Sequence, residues 1–294
     1  MITYTHCPSC SSEDFHEFIS AKDHTVSGES FTIMKCNDCT LMFTQDIPSA
    51  ADIGRYYASE DYISHSDTQE GMINKLYHAI RKRTLNGKKK LLQKETGKAT
   101  GKIADIGCGT GAFLHTMKQA GWNITGVEPD EAARKKAAAL YSIEPRPAEE
   151  LNSLPQNEFD GITLWHVLEH VHDLHGYIAQ LKNMLAENGK LFIAVPNYTS
   201  HDAVHYGSFW AAYDVPRHLY HFSPQSMRAL LQLHGLTVKK VRPMWFDSFY
   251  VSMLSEKYKN GKGNIISAFC TGLVSNIKAM GKEKCSSQIY IISK

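Results

Sequence analysis

The chain has 294 residues, 43% of them hydrophobic and 21% charged, which suits one ordinary globular domain with a smaller companion. A formal net charge of +2 and a pI near 8.1 supply no global field of the kind that marks a dedicated nucleic-acid binder, and no apolar stretch reaches bilayer length. The N-terminus lacks the basic head and apolar run of a secretory signal, so a soluble cytoplasmic protein is expected.

Four of the seven cysteines form two pairs, Cys7-Pro-Ser-Cys10 and Cys36-Asn-Asp-Cys39, an arrangement that suits metal better than a disulfide framework. The spacing is that of a zinc ribbon, and four thiolates close a tetrahedral shell with no open position, so a structural Zn2+ is expected. Residues 1–47 cannot bury enough apolar area alone, and zinc binding of about 10–16 kcal/mol would supply the missing folding energy. Reduced thiols without metal are the plainer alternative; a thioredoxin-like redox pair would need a βαβ context that is absent.

From residue 48 to 100 the pattern turns helical and polar and reads as a connector, with Tyr56, Tyr57 and Tyr62 as packing or pocket aromatics. A basic run through Lys75, Arg81, Arg83, Lys88 and Lys94 is interleaved with Ile73, Leu76, Ile80, Leu85, Leu91 and Leu92. That periodicity predicts a solvated amphipathic helical face, and attraction of an anionic substrate is its functional alternative.

Ile103-Ala-Asp-Ile-Gly-Cys-Gly-Thr-Gly-Ala-Phe113 reads as strand, tight turn and helix, with glycines at 107, 109 and 111. Such a turn lets a ligand approach the main chain and presents the unpaired N–H groups of the following helix. A dinucleotide fingerprint also fits Gly107, Gly109 and Ala112 with Glu128 a strand later. Asp105 argues against it, because a carboxylate there would face a pyrophosphate with like charge but suits a ligand with an amino group and a sulfonium.

A second strand over 124–128, a helix over 130–140, and a third strand edge and loop near Pro145 to Glu150 follow. Phe159 to Leu164 is expected as the fourth strand and Lys190 to Val195 as a buried fifth, with an amphipathic helix over 176–185 between them. His166-x-x-Glu169-His170 also matches a metalloprotease pattern, but a zinc protease needs it inside a helix, and here it directly follows a strand. Residues 198–222, rich in histidine and aromatics, are the expected acceptor pocket, with His201, Tyr213 and Arg217 as substrate contacts. Arg217 would clamp a phosphate or carboxylate. Ser223-Pro224 then reads as a helix start, 236–241 as the sixth strand and 288–292 as the last. Between those strands, 245–284 is expected to form two helices, with core packing the default use of their apolar faces and a lid, a dimer surface or a membrane-surface contact the alternatives.

Asp-x-Gly-x-Gly-x-Gly followed by Gly126-Val-Glu-Pro-Asp130 resembles the class I S-adenosylmethionine-dependent methyltransferases, from about Lys102 to Val241. The resemblance implies a doubly wound Rossmann-like α/β sheet with an antiparallel last strand over 101–294. It also implies a cofactor site of Asp105, Gly107, Gly109, Gly111, Glu128 (ribose), Ala148 and Glu149 (adenine edge) and His166 (methionine part). With the cysteine module, residues 198–222 resemble bacterial small-molecule and sugar methyltransferases, in which a histidine at the position of His218 serves as base; here Arg217 stands where the acid is usual. His218 is therefore the first catalytic candidate and His221 the second. The expected reaction is O- or C-methylation of a sugar, nucleotide sugar or phenolic metabolite, with a homodimer left open. A nucleic-acid methyltransferase gripping through the zinc module and basic helix, and a non-catalytic cofactor-binding interaction protein, are the alternatives; no RNA-binding motif favours the former.

Overall fold

The computed structural model describes residues 1–57 and 72–294, with the side chains of 72–79 outside the description. Tyr62 and the side chains of Ile73, Lys75 and Leu76 therefore lie outside the described residues. In chain order, β1 (Phe15–Lys22), β2 (Ser30–Cys36) and β3 (Met42–Thr44) precede helix α1 (Met72–Thr96). Strands and helices then alternate through β4 (Lys102–Ile106), α2 (Ala112–Gln119), β5 (Asn123–Val127), α3 (Glu131–Tyr141), β6 (Phe159–Trp165), α4 (Leu174–Met184) and β7 (Leu185–Pro196). The remainder comprises α5 (His201–Tyr206), β8 (Tyr220–His221), α6 (Pro224–Leu233), β9 (Thr237–Pro243), α7 (Asp247–Asn260), α8 (Ile265–Ala279) and β10 (Ser287–Ser293).

Local chemistry accounts for several of these boundaries. Asp130 caps α3 by accepting from the Ala132 N–H; Ser223 caps α6 with Pro224 in its first turn, the start expected there. The basic, polar stretch before the glycines is a 25-residue helix, with Leu92 buried and Ile80, Leu85 and Leu91 half-buried. The expected third strand is reduced to one parallel bridge between Val127 and Arg146.

The chain divides into two compact units. One contains β4 to β6, Gly176–Ile193 and the end of β10. Here β4 pairs in parallel with β5 on one side and β6 on the other, in the order β5-β4-β6-β7-β10. Ile103, Ala104, Ile106, Ile162 and Leu164 are fully buried, as parallel strands covered on both faces require. The expected α/β sheet is thus observed.

The other unit joins the N-terminal module to Leu168–His175 and Ala194–Tyr290. Its antiparallel sheet has the order β1-β2-β3-β8, and β9 lies beside the start of β10. The core includes Phe31, Ile33 and Met42 from the module and Tyr206, Trp210, Tyr213 and Val215 from the histidine-rich segment. The units therefore do not follow the boundaries expected at 47 and 100. The physical reason is the pairing of Met42 with His221 and of Phe43 with Tyr220, which builds both segments into one body.

Candidate active site

Strand β4 is followed by Gly107 at φ +69°, and Gly109 and Gly111 also take positive φ, values at which an L side chain is strained. A Cβ on Gly107 would lie 2.4 Å from a Val167 methyl, whereas around Gly109 there is open space. Helix α2 starts at Gly111 with no side-chain cap, so its first N–H groups have no capping partner. The turn is thus a backbone-lined surface with donors at one edge.

Two carboxylates flank it. Asp105 is buried and accepts a hydrogen bond from Thr163 Oγ1 at 2.6 Å. Burial pushes its pKa up to about 7, against the hydrogen bond from Thr163 and the charge of Lys88. The Lys88 ammonium sits 4.0 Å from the ring centre of Trp165, whose ring meets Phe113 edge-on. Glu128 follows β5; one of its oxygens accepts from the Gly109 N–H at 2.7 Å and the other from the Asp130 N–H at 3.0 Å. Burial raises its pKa, while both backbone donors oppose the rise. A carboxylate offers about four acceptor sites, so two remain for hydroxyl groups.

The other expected cofactor residues lie in the same unit. His166 follows β6 in the left-handed region at φ +59°, a backbone outlier at a strand end where ligands gather in open α/β sheets. Arg146 runs beside Val127, and Ala148 and Glu149 open the exposed 3-10 helix that follows. Asp105, the three glycines and Glu128 are thus brought together, with Ala148 and Glu149 at the rim. Their donors, acceptors and buried acid fit a ligand with a ribose and a cationic group.

In the unit that holds the cysteines, Cys7 Sγ lies 3.5 Å from Cys39 Sγ, and Cys10 Sγ 3.6 Å from Cys36 Sγ. All four sulfurs lie within 4.8 Å of one another. Zinc–sulfur bonds of about 2.3 Å in a tetrahedron place sulfurs about 3.8 Å apart, so the donor set fits.

The histidine-rich segment is a buried polar network. His218 Nδ1 lies 2.9 Å from the Ala212 carbonyl, which assigns the proton to Nδ1 and leaves Nε2 as acceptor, 3.9 Å from Asp214 Oδ2. The His170 ring stands edge-on to it, with centroids 4.6 Å apart, and burial together with His218 holds the His170 pKa down to about 4. Glu169, His170 and His218 bring one ligand atom each within 4.8 Å of the others. His166 is not part of that group, because the 166–170 segment is a strand end followed by a 3-10 turn and not the helix a zinc protease requires.

Two residues serve differently from expectation. Arg217 is 1% exposed, and its guanidinium donates to Asp214, Asp23, Thr25 and the Tyr56 carbonyl. This is an internal anchor, not a clamp held out for an anionic substrate. His221 is buried in β8 beside Thr44, 3.1 Å from Oγ1; because that hydroxyl donates to the His218 carbonyl, His221 Nε2 is the donor of the pair. Burial, then His218, keeps His221 neutral, and its position is that of a satisfied structural histidine. Tyr213 is buried against Trp210 and His221, and His201 begins α5 near Lys278. Thr163, which faces Asp105 across the β4–β6 ladder, and the Asp23 partner of Arg217 are contributors that no sequence signal marked, and Lys88, read in the sequence only as part of a basic helical face, is a third.

A parallel pairing of β5, β4 and β6 with a glycine turn after β4, a buried acid before the turn and a second acid at the end of β5 define the methyltransferase class. The family model described as a methyltransferase domain matches residues 77–241, and this chain belongs to that family. The expectation of an S-adenosylmethionine-dependent methyltransferase is therefore borne out. Among similar proteins, a ubiquinone biosynthesis O-methyltransferase of Actinobacillus pleuropneumoniae is 29% identical over 180 residues, which cover 56% of this chain and 76% of that protein. The mitochondrial ubiquinone biosynthesis O-methyltransferase of Homo sapiens is 27% identical over 164 residues, covering 50% of this chain and 44% of that one. A solved structure from Galdieria sulphuraria, assigned as a sarcosine dimethylglycine methyltransferase, matches with a TM-score of 0.51 at 16% identity, covering 72% of this chain and 87% of that chain, a likeness of fold alone.

Proposed function

We propose that this chain transfers a methyl group from S-adenosylmethionine to a hydroxyl oxygen of a small molecule, with a phenolic acceptor favoured over the sugar class. The observation that carries the reading is the pair of buried acids around the glycine turn: Asp105 behind it and Glu128 bonded to its Gly109 N–H. The choice of oxygen and of a phenolic acceptor rests on the similarity to ubiquinone biosynthesis O-methyltransferases. Those relatives do not favour the nucleic-acid or non-catalytic alternatives.

When bound, S-adenosylmethionine supplies an electrophilic methyl on a sulfonium. Asp105 provides the negative charge for the cationic end, and the two remaining acceptor sites of Glu128 take the ribose hydroxyls. His218 is the proposed base: its Nδ1–H is fixed on a carbonyl, its Nε2 accepts the proton, and the nearby Asp214 carboxylate stabilises the resulting imidazolium. Cys7, Cys10, Cys36 and Cys39 are proposed to hold one structural Zn2+.

Calorimetric titration with S-adenosylmethionine, S-adenosylhomocysteine and NAD, with zinc determined on the same sample, tests the cofactor reading. Micromolar affinity for the first two, absence of affinity for NAD and one zinc per chain are expected; affinity for NAD alone overturns it. Methyl transfer from labelled cofactor to catechols and to nucleotide sugars then separates the acceptor classes.

A further inference from the structure

Helix α8 is inside out. It buries Ala268, Thr271, Gly272, Ser275, Asn276 and Ala279 and exposes nearly all its large apolar side chains. Ile265 is 74% exposed, Ile266 78%, Phe269 56% and Ile277 55%, with Leu273 and Met280 on the same side. At 100° per residue these six fall within one arc of about 120°. Soluble monomers rarely leave so continuous an apolar stripe to water.

The inner face explains why the helix is held this way round. A Cβ on Gly272 would lie 3.1 Å from the Phe249 Cα of α7, so the two helices cross at backbone distance. Ser275 Oγ donates to Asp202 at 2.6 Å, Asn276 Nδ2 to the Trp245 carbonyl at 2.9 Å, and Ser267 Oγ to Glu256 at 2.5 Å. Turning the helix over would strand these buried acceptors, so the outward apolar stripe is fixed by the polar bonds beneath it. Met253 and Tyr250 of α7 are exposed as well.

Charge identifies what covers the stripe. Lys257 and Lys259 lie in the last turn of α7 and Lys262 in the connection to α8, while Lys278 lies in the last turn of α8 with Lys282 and Lys284 just beyond, all exposed. Of the three acids between 245 and 284, Glu256 is buried and Glu283 is paired with Arg228 at 2.5 Å, while Asp247 lies at the start of α7. Two copies packed through this face would set lysines against lysines, whereas anionic headgroups complement them. The helices have 14 and 15 residues, about 22 Å each, too short to span a bilayer. They suit a helix lying in the headgroup plane.

We propose that the α7–α8 hairpin seats this protein on an anionic bilayer surface, with Ile265, Ile266, Phe269 and Ile277 entering the acyl boundary and the flanking lysines contacting headgroups. The inference stands independently of the methyl-transfer reading.

The test is co-sedimentation of the full chain with vesicles of phosphatidylcholine and phosphatidylglycerol, 7:3, against phosphatidylcholine alone. Binding to the anionic vesicles is expected to exceed that to neutral ones by at least tenfold and to fall steeply between 50 and 500 mM salt. A Phe269→Asp, Ile277→Asp double variant should lose it. Lys282→Gln with Lys284→Gln should weaken it roughly 10- to 30-fold, at about fivefold for each lysine near the surface. Thermal melting checks that each variant is folded, and the lysine pair serves if the aspartates disturb folding. No binding of the wild type to anionic vesicles at low salt, or equal binding to both compositions, overturns the proposal. So does a wild-type dimer in analytical ultracentrifugation that the aspartate variant converts to monomer, which would assign the face to a second copy.

Discussion

Asp105→Asn separates what the buried acid costs the fold from what it gives the ligand site. The carboxyl is raised from its ordinary 3.8 to about 7, with burial as the largest cause. Three pH units correspond to about 4 kcal/mol by which ionised Asp105 opposes folding at neutral pH. The folded state holds its proton to higher pH than the unfolded chain, so stability falls as pH rises from about 4 to about 7 and is level above that. Asparagine keeps an oxygen for the Thr163 hydroxyl and carries no charge. The variant should therefore be more stable by roughly 2–4 kcal/mol at pH 8, a rise in melting temperature of roughly 5–10 °C, with the gain vanishing near pH 4. Its affinity for S-adenosylmethionine should drop roughly 10- to 100-fold, as loss of a charged partner requires. In the wild type that affinity should weaken as pH falls through about 7, by up to about tenfold per unit. Melting from pH 4 to 8 and calorimetry at pH 8 provide both readings. A variant no more stable than wild type at pH 8, or one that binds the cofactor undiminished, refutes the assignment of Asp105 as an ionised, ligand-facing acid.

His218→Ala should lower turnover by about 10²–10⁴ while leaving cofactor affinity unchanged; unaltered turnover removes His218 from the mechanism. Arg217→Met should cost about 3–5 kcal/mol, seen as a lower urea midpoint, because it leaves the buried Asp23 and the half-buried Asp214 without their partner. Burial would raise both carboxyls, but backbone N–H groups and Arg217 hold Asp23 low, and Arg217 with His218 and His170 holds Asp214 low, so their contribution is present above the ordinary carboxylate range and is lost as pH falls through the lowered values. A midpoint shift under about 1 kcal/mol would contradict the anchor role. Cys36→Ser should reduce zinc below one per chain and lower the melting temperature, and retained stoichiometry would mean that Cys36 is not a ligand.

The strand, turn and helix around the glycines were legible because β4 is an apolar run broken by glycines, and the start of α6 was legible from Ser-Pro. The pairing of β3 with β8 was not, since β8 is two residues long and its partner lies about 180 positions earlier, beyond any window in which periodicity operates. Arg217 illustrates the same limit. Its motif neighbours suggested an outward clamp, while the acid that buries it, Asp23, is 194 residues away. Within α8 the period was readable but its direction was not, because apolar spacing marks a face without saying which way that face points.

The β3–β8 ladder changes what can be cut from this protein. A truncation at Pro48 would leave Tyr220 and His221 as an open strand edge and would remove Thr44, which donates to the His218 carbonyl. The cysteine module is thus less an appendage than a splint for the histidines, and a chimera that borrows the histidine-rich segment from this chain must take the first 47 residues with it.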